Sequence, residues 1–164
     1  MPDDIDTAKA ACYAADKELT RIYALGANKR YPESEAILIK DPDAALEYAA
    51  DFIEGRWPEA EAVIASNALT ANAYAYRVIN GRWPMGEPAI SQDAWAACRY
   101  ADTIIKGRWP PGEEAIFDDG HYVKLYMNVL WLQDPEAYAE LELERGDWLP
   151  DAVAEAALTK ARTS

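Results

Sequence analysis

The sequence predicts an all-α protein, an α-solenoid of 26-residue helix–turn–helix repeats with degenerate capping helices. Three observations carry that expectation. A four-residue motif returns at a constant spacing of 26 residues, as Gly55-Arg56-Trp57-Pro58, Gly81-Arg82-Trp83-Pro84 and Gly107-Arg108-Trp109-Pro110. A softer copy, Lys29-Arg30-Tyr31-Pro32, stands one step earlier, and a glutamate lies three residues past each proline, at Glu35, Glu61, Glu87 and Glu113. The segment leading into each motif places apolar residues at i, i+3, i+4, i+7 and i+8, the face of a helix and not the alternation of a strand. Finally, Asp41 ahead of Pro42, Asn67 and Asp93 occupy one slot before three of these segments, where a helix N-cap belongs.

The elements follow in order. The apolar sets are Leu19, Ile22, Tyr23, Gly26 and Ala27, then Ala45, Tyr48, Ala49, Phe52 and Ile53. They continue as Ala71, Tyr74, Ala75, Val78 and Ile79, as Ala97, Tyr100, Ala101, Ile104 and Ile105, and as Val123, Tyr126, Met127, Leu130 and Trp131. Each predicts a helix of roughly 13 residues. The motif glycine is expected to take the left-handed conformation that closes this helix. Arg-Trp then forms a tight turn, and the proline opens a second helix of about two turns, such as 58–65. Neither helix can bury its stripe alone, so neighbours must stack.

The ends read as caps. Residues 7–25 form one longer helix with Ala8, Ala11, Cys12, Ala15, Leu19 and Ile22 along one side. Asp134-Pro135 starts a helix, Arg145 to Pro150 is a stretched copy of the motif, and a last helix runs to about Arg162. The expected organisation is one helical-repeat domain over 1–164, with an N-terminal cap about 1–18, repeats about 19–133 and a C-terminal cap about 134–164.

A residue that recurs in every repeat is most simply explained by a task every repeat shares, which is to pack on the next. Arg30, Tyr31 and Glu35, Arg56, Trp57 and Glu61, Arg82, Trp83 and Glu87, and Arg108, Trp109 and Glu113 are therefore read as structural. The tryptophans would fill the gaps between units. The arginines would lie over an aromatic face and pair with the glutamates, whose charge also suits a helix N-terminus. The alternative, a ladder of Arg and Trp that stacks bases or grips phosphates, meets the wrong overall charge.

That charge is −13, from 16 basic and 29 acidic residues. It repels nucleic acid and anionic lipid, whose recognition needs clustered Lys and Arg. No apolar run reaches the ~18 residues of a membrane span, and the acidic Met1-Pro2-Asp3-Asp4 start is unlike a secretory signal, so a cytoplasmic location is expected. Cys12 and Cys98, far apart, with the single His121, make no metal-ligand set, and the thiols are expected to be unbonded. No nucleophile set or phosphate-cradling glycine loop is present, so neither catalysis nor a cofactor is expected.

Binding in repeat proteins falls on positions that vary between repeats. Here these include Glu47, Ala73 and Arg99; Ala50, Tyr76 and Asp102; Asp51, Arg77 and Thr103; and Glu54, Asn80 and Lys106. Acid concentrates at two places. From Glu33 to Glu61 nine acidic residues stand against Lys40 and Arg56, and from Asp134 to Glu155 eight stand against Arg145. Glu47, Asp51 and Glu54, with Glu140, Glu142 and Glu144, are the candidate partner-binding residues, and the expected partner is a protein with a basic surface.

The Gly55-Arg56-Trp57-Pro58-Glu59-Ala60-Glu61 stretch, with its Tyr48-Ala49 to Ile53 lead-in, resembles a helical repeat of phage-encoded and bacterial proteins, mostly of unassigned activity. The resemblance covers about residues 29–117. It implies a phage origin and a small accessory protein that binds and inhibits a host defence or DNA-handling protein in the host cytoplasm. The other reading is a virion or scaffold component that self-associates through the repeat surface.

Overall fold

A computed structural model describes residues 32–145. Among them the protein is all-helical, with no strand. The expectations placed on the N-terminal cap, on Cys12, on Arg30 and Tyr31, and on the chain beyond Arg145 lie outside the described residues.

Helix α1 spans Pro32–Leu38, α2 Pro42–Tyr48, α3 Pro58–Ile64, α4 Ala68–Tyr74 and α5 Glu87–Ile90. Then come α6 at Ala94–Tyr100, α7 at Pro110–Phe117, α8 at Gly120–Gln133 and α9 at Pro135–Arg145. The starts of α2, α4, α6 and α8 are set by side chains that satisfy first-turn amides. Asp41 accepts from the Ala44 N–H at 2.9 Å, Asp93 from Ala96 at 2.8 Å, and Asn67 from Leu69 and Thr70. Asp119 does the same for α8 through His121.

Two expectations about the long segments are corrected. They are not uninterrupted α-helices: α2, α4 and α6 each continue into a π-helical turn, at Ala49–Ile53, Ala75–Ile79 and Ala101–Ile105. Nor does the motif glycine adopt the left-handed conformation. The residue before it does, with φ of 53° at Glu54, 53° at Asn80 and 58° at Lys106, and no glycine among the described residues has positive φ. The widened last turn explains the shift. The Ala101 carbonyl accepts from both Lys106 N–H (2.7 Å) and Gly107 N–H (3.3 Å), so the chain reverses one residue early. Helix α8 has no such motif at its end and stays α-helical for 14 residues.

The short helices also differ between copies. Pro58 and Pro110 open α3 and α7, but α5 begins only at Glu87. Pro88 has no N–H to give the Pro84 carbonyl, so residues 84–86 form a turn instead of the first turn of an α-helix.

The α-helical parts of α2, α4 and α6 touch in sequence, α6 touches α8, and each π turn touches the next. The long segments therefore run side by side in one sense. Their shared stripe is the core: Ala45, Tyr48, Ala49, Ala71, Tyr74, Ala75, Ala97, Tyr100, Ala101, Tyr126 and Leu130 are all fully buried.

Candidate functional site

Each motif is consumed in a hydrogen-bonded joint between two long helices. The Arg56 guanidinium forks onto Glu61, Nε to Oε1 at 2.8 Å and an Nη to Oε2 at 2.9 Å. Glu61 is buried, and its Oε1 also accepts from the Tyr74 hydroxyl at 3.0 Å, while that hydroxyl accepts the Trp57 backbone N–H at 2.9 Å. The Trp57 ring meanwhile lies 5.0 Å from Tyr48 on the preceding long helix. One residue thus touches α2 with its ring and α4 with its amide.

The joint returns twice. Arg82 forks onto Glu87, the Tyr100 hydroxyl donates to Glu87, and the Trp83 N–H donates to Tyr100 at 2.9 Å. Arg108 forks onto Glu113, Tyr126 donates to Glu113 at 3.2 Å, and the Trp109 N–H donates to Tyr126 at 2.7 Å. Trp83 and Trp109 lie 4.7 Å and 4.9 Å from Tyr74 and Tyr100. At the first copy, Tyr48 donates to Glu35 at 3.0 Å. The expected pairing of each guanidinium with its glutamate is present, which suits a carboxylate drawn out of water, since such a group needs charged donors. The joint also explains why the column is tyrosine and not phenylalanine, a point invisible in the hydrophobic pattern.

Electrostatics follow the geometry. The Arg56 hydrogen bonds, then that of Tyr74, hold the Glu61 carboxyl below its ordinary value against the opposing effect of burial. Burial pushes the Tyr74 and Tyr100 phenols up to about 12, with the neighbouring carboxylates adding to it.

Two glycines near the motifs are packing residues that the sequence reading passed over. A methyl at Gly112 would sit 2.6 Å from Cε3 of Trp109 and 2.7 Å from Cβ of Ala97, and one at Gly86 would meet Trp83 at 2.5 Å. The signal was present in register, since both align with Ala60, the small residue of the first full motif. Gly112→Ala should cost about 1–3 kcal/mol through overpacking, read as a lowered melting point. Gly81→Ala meets nothing within 4 Å and should be near neutral.

The acids expected to bind a partner are distributed differently. Arg77 bridges back from the π turn after α4 to Glu47 (2.8 Å) and Asp51 (2.7 Å) on the preceding long segment. Arg108 likewise reaches Glu144 at 2.8 Å and Glu140 at 3.6 Å. Four of the six candidates are therefore already engaged by arginine. Glu54 is the exposed left-handed residue, and Glu142 is half-buried on α9.

Cys98 is a free, buried thiol in α6, pushed up to about 11 by burial and by the nearby Asp102 charge. In a Cys12→Ser background, a thiol reagent at pH 8 should label folded protein only slowly and denatured protein at once. Prompt labelling of folded protein would show that the α6 packing is open.

Among the described residues no group of three or more His, Cys, Asp or Glu could hold a metal, and no helix is long and apolar enough to cross a membrane. Compared with known proteins, the chain matches no protein family, no curated protein and no solved structure at a significant level.

Proposed function

We propose that this chain is an α-solenoid of 26-residue repeats that works as a non-catalytic protein-binding module. The observation that carries the reading is the fate of the recurring motif. Its Trp and Glu, and the Tyr of the next helix, are bound to one another within the protein, and the Arg closes the joint from the surface by forking onto the Glu. The outward positions of the long segments differ from one to the next, and differing positions are what recognition of a specific partner requires.

The charge of −13 favours a basic partner surface. In the setting its sequence resemblance implies, the module serves a phage as an inhibitor of a host defence or DNA-handling protein in the cytoplasm. Acidic residues on α2 and α9 steer the encounter, while Arg77 and Arg108 hold part of that acid in place and limit any mimicry of nucleic-acid charge.

Pull-down from a bacterial lysate with mass spectrometry would identify the partner, and the purified pair then tests the charge. Affinity should fall with salt, and by about tenfold in Glu47→Gln/Asp51→Asn/Glu54→Gln or in Glu140→Gln/Glu142→Gln/Glu144→Gln, roughly the value of one well-placed charge pair. A partner whose affinity is indifferent to salt and to both triple variants would sink the acidic-surface reading. Salt-insensitive self-association with no partner would favour a scaffold component.

A further inference from the structure

Seven large apolar side chains are exposed among the described residues: Leu69, Tyr76, Met85, Trp95, Leu125, Leu132 and Leu143. Five of them occupy the outward side of the long segments. Leu69 and Trp95 share one register position, Leu125 is in register with Arg99, Tyr76 with Asp102, and Leu132 with Lys106. Lateral contacts place these faces together, since Arg77 reaches back to Glu47 and Asp51, and Gln133 reaches back to Asp102. On α6 the same face also carries Arg99, Asp102 and Lys106, with the Arg99 guanidinium 6.0 Å from the Trp95 ring centre, so the apolar side chains are interleaved with charge. Exposed large apolar side chains gathered on one face mark a contact site.

The same side of α2 is different. It carries Asp43, Glu47, Asp51 and Glu54, and Arg77 is drawn onto Glu47 and Asp51 from the next long segment. The face is therefore acidic at one end and apolar with scattered charge beyond.

We propose that this face docks an amphipathic helix of a partner protein, laid across the long helices with a basic first turn over α2 and apolar side chains over α4, α6 and α8. The inference rests on the protein-binding reading above and names its surface. Neighbouring helices stack at about 8–10 Å, and a helix rises 1.5 Å per residue. One apolar anchor per helix crossed therefore recurs about every six or seven residues in the partner, over a length of roughly 20 residues. Its positive N-terminal dipole end adds to the attraction of α2. A second copy of this chain fits less well. A two-fold pairing centred between α4 and α6 would set the carboxylates of α2 on Leu125 and Leu132. Trp95 and Tyr76 are the expected anchors, since aromatic side chains dominate such contacts.

The probe is a labelled 20-residue helical peptide with leucine at every seventh position, alanine elsewhere on that side, and lysines in its first turn. Fluorescence anisotropy with the full chain should show binding, weakened at least tenfold by Trp95→Ala and by Tyr76→Ala. Asp43→Asn with Glu54→Gln should weaken it several-fold at low salt and not at high salt, while Leu143→Ala changes nothing. Thermal melts check that the variants fold, and the two aromatic substitutions stand in for each other if one does not. No binding at about 100 μM overturns the proposal, as does equal binding of a serine-for-leucine peptide or indifference to both aromatic variants. Sedimentation showing a dimer that Trp95→Ala dissolves would assign the face to a second copy. With the partner from the lysate, loss in the acidic triple variants but not in Trp95→Ala would remove this docking face alone. Indifference to all of them would remove both readings.

Discussion

Trp83→Ala is expected to destabilise the whole chain by about 3–5 kcal/mol, the cost of emptying a large buried aromatic site. The Trp83 ring is 4% exposed, lies 4.7 Å from Tyr74, and packs so closely on Gly86 that no β-carbon fits there. Alanine keeps the backbone N–H that donates to Tyr100, so the loss isolates the ring. For a chain of this size the melting temperature should fall by roughly 10 °C, measured by circular dichroism. Trp95→Ala is the contrast, with its ring 42% exposed and a much smaller expected shift. A Trp83 variant that melts like the parent while losing partner binding would make the tryptophan row a recognition surface.

The second large effect is expected at Glu61. Glu61→Ala removes both acceptors of the Arg56 fork and leaves the buried Tyr74 hydroxyl without its acceptor, for a loss of about 2–4 kcal/mol at neutral pH. The pH dependence has a definite sign. The carboxyl is held below its ordinary value in the folded chain, first by Arg56 and then by Tyr74. Its stabilisation is therefore complete above the unfolded value of about 4.3 and is lost as pH falls from there through the lowered folded value. Denaturant melts at pH 7 and across the acid range should show parent and variant converging as pH drops. A constant gap between them would mean that the carboxylate charge contributes nothing and that only packing is lost.

Helix faces and starts were legible in the letters because they are local. The i, i+3 and i+4 positions of the stripes from Ala45, Ala71, Ala97 and Val123 are buried, and the i+7 residues Phe52, Val78 and Ile104 are half-buried against them. Asp41, Asn67 and Asp93 cap where their spacing placed them. The pairing of each motif arginine with the glutamate five residues on was legible for the same reason. The turn between them was not. Glycine at 55, 81 and 107 suggested a left-handed residue there, but a π turn moves that conformation onto Glu54, Asn80 and Lys106. Only the hydrogen bonds of the closed turn select between neighbouring positions.

Sequence alone determined the buried face of the long helices and where they begin, because both depend on neighbours within a few residues along one helix. Tertiary structure decided the rest. The Tyr74 hydroxyl meets Trp57, 17 residues away, and Glu61, 13 away, and Arg77 meets Glu47 and Asp51 on another helix. Those contacts depend on how far apart the long helices stack and in what register, and a one-dimensional pattern of apolar and polar residues contains neither quantity.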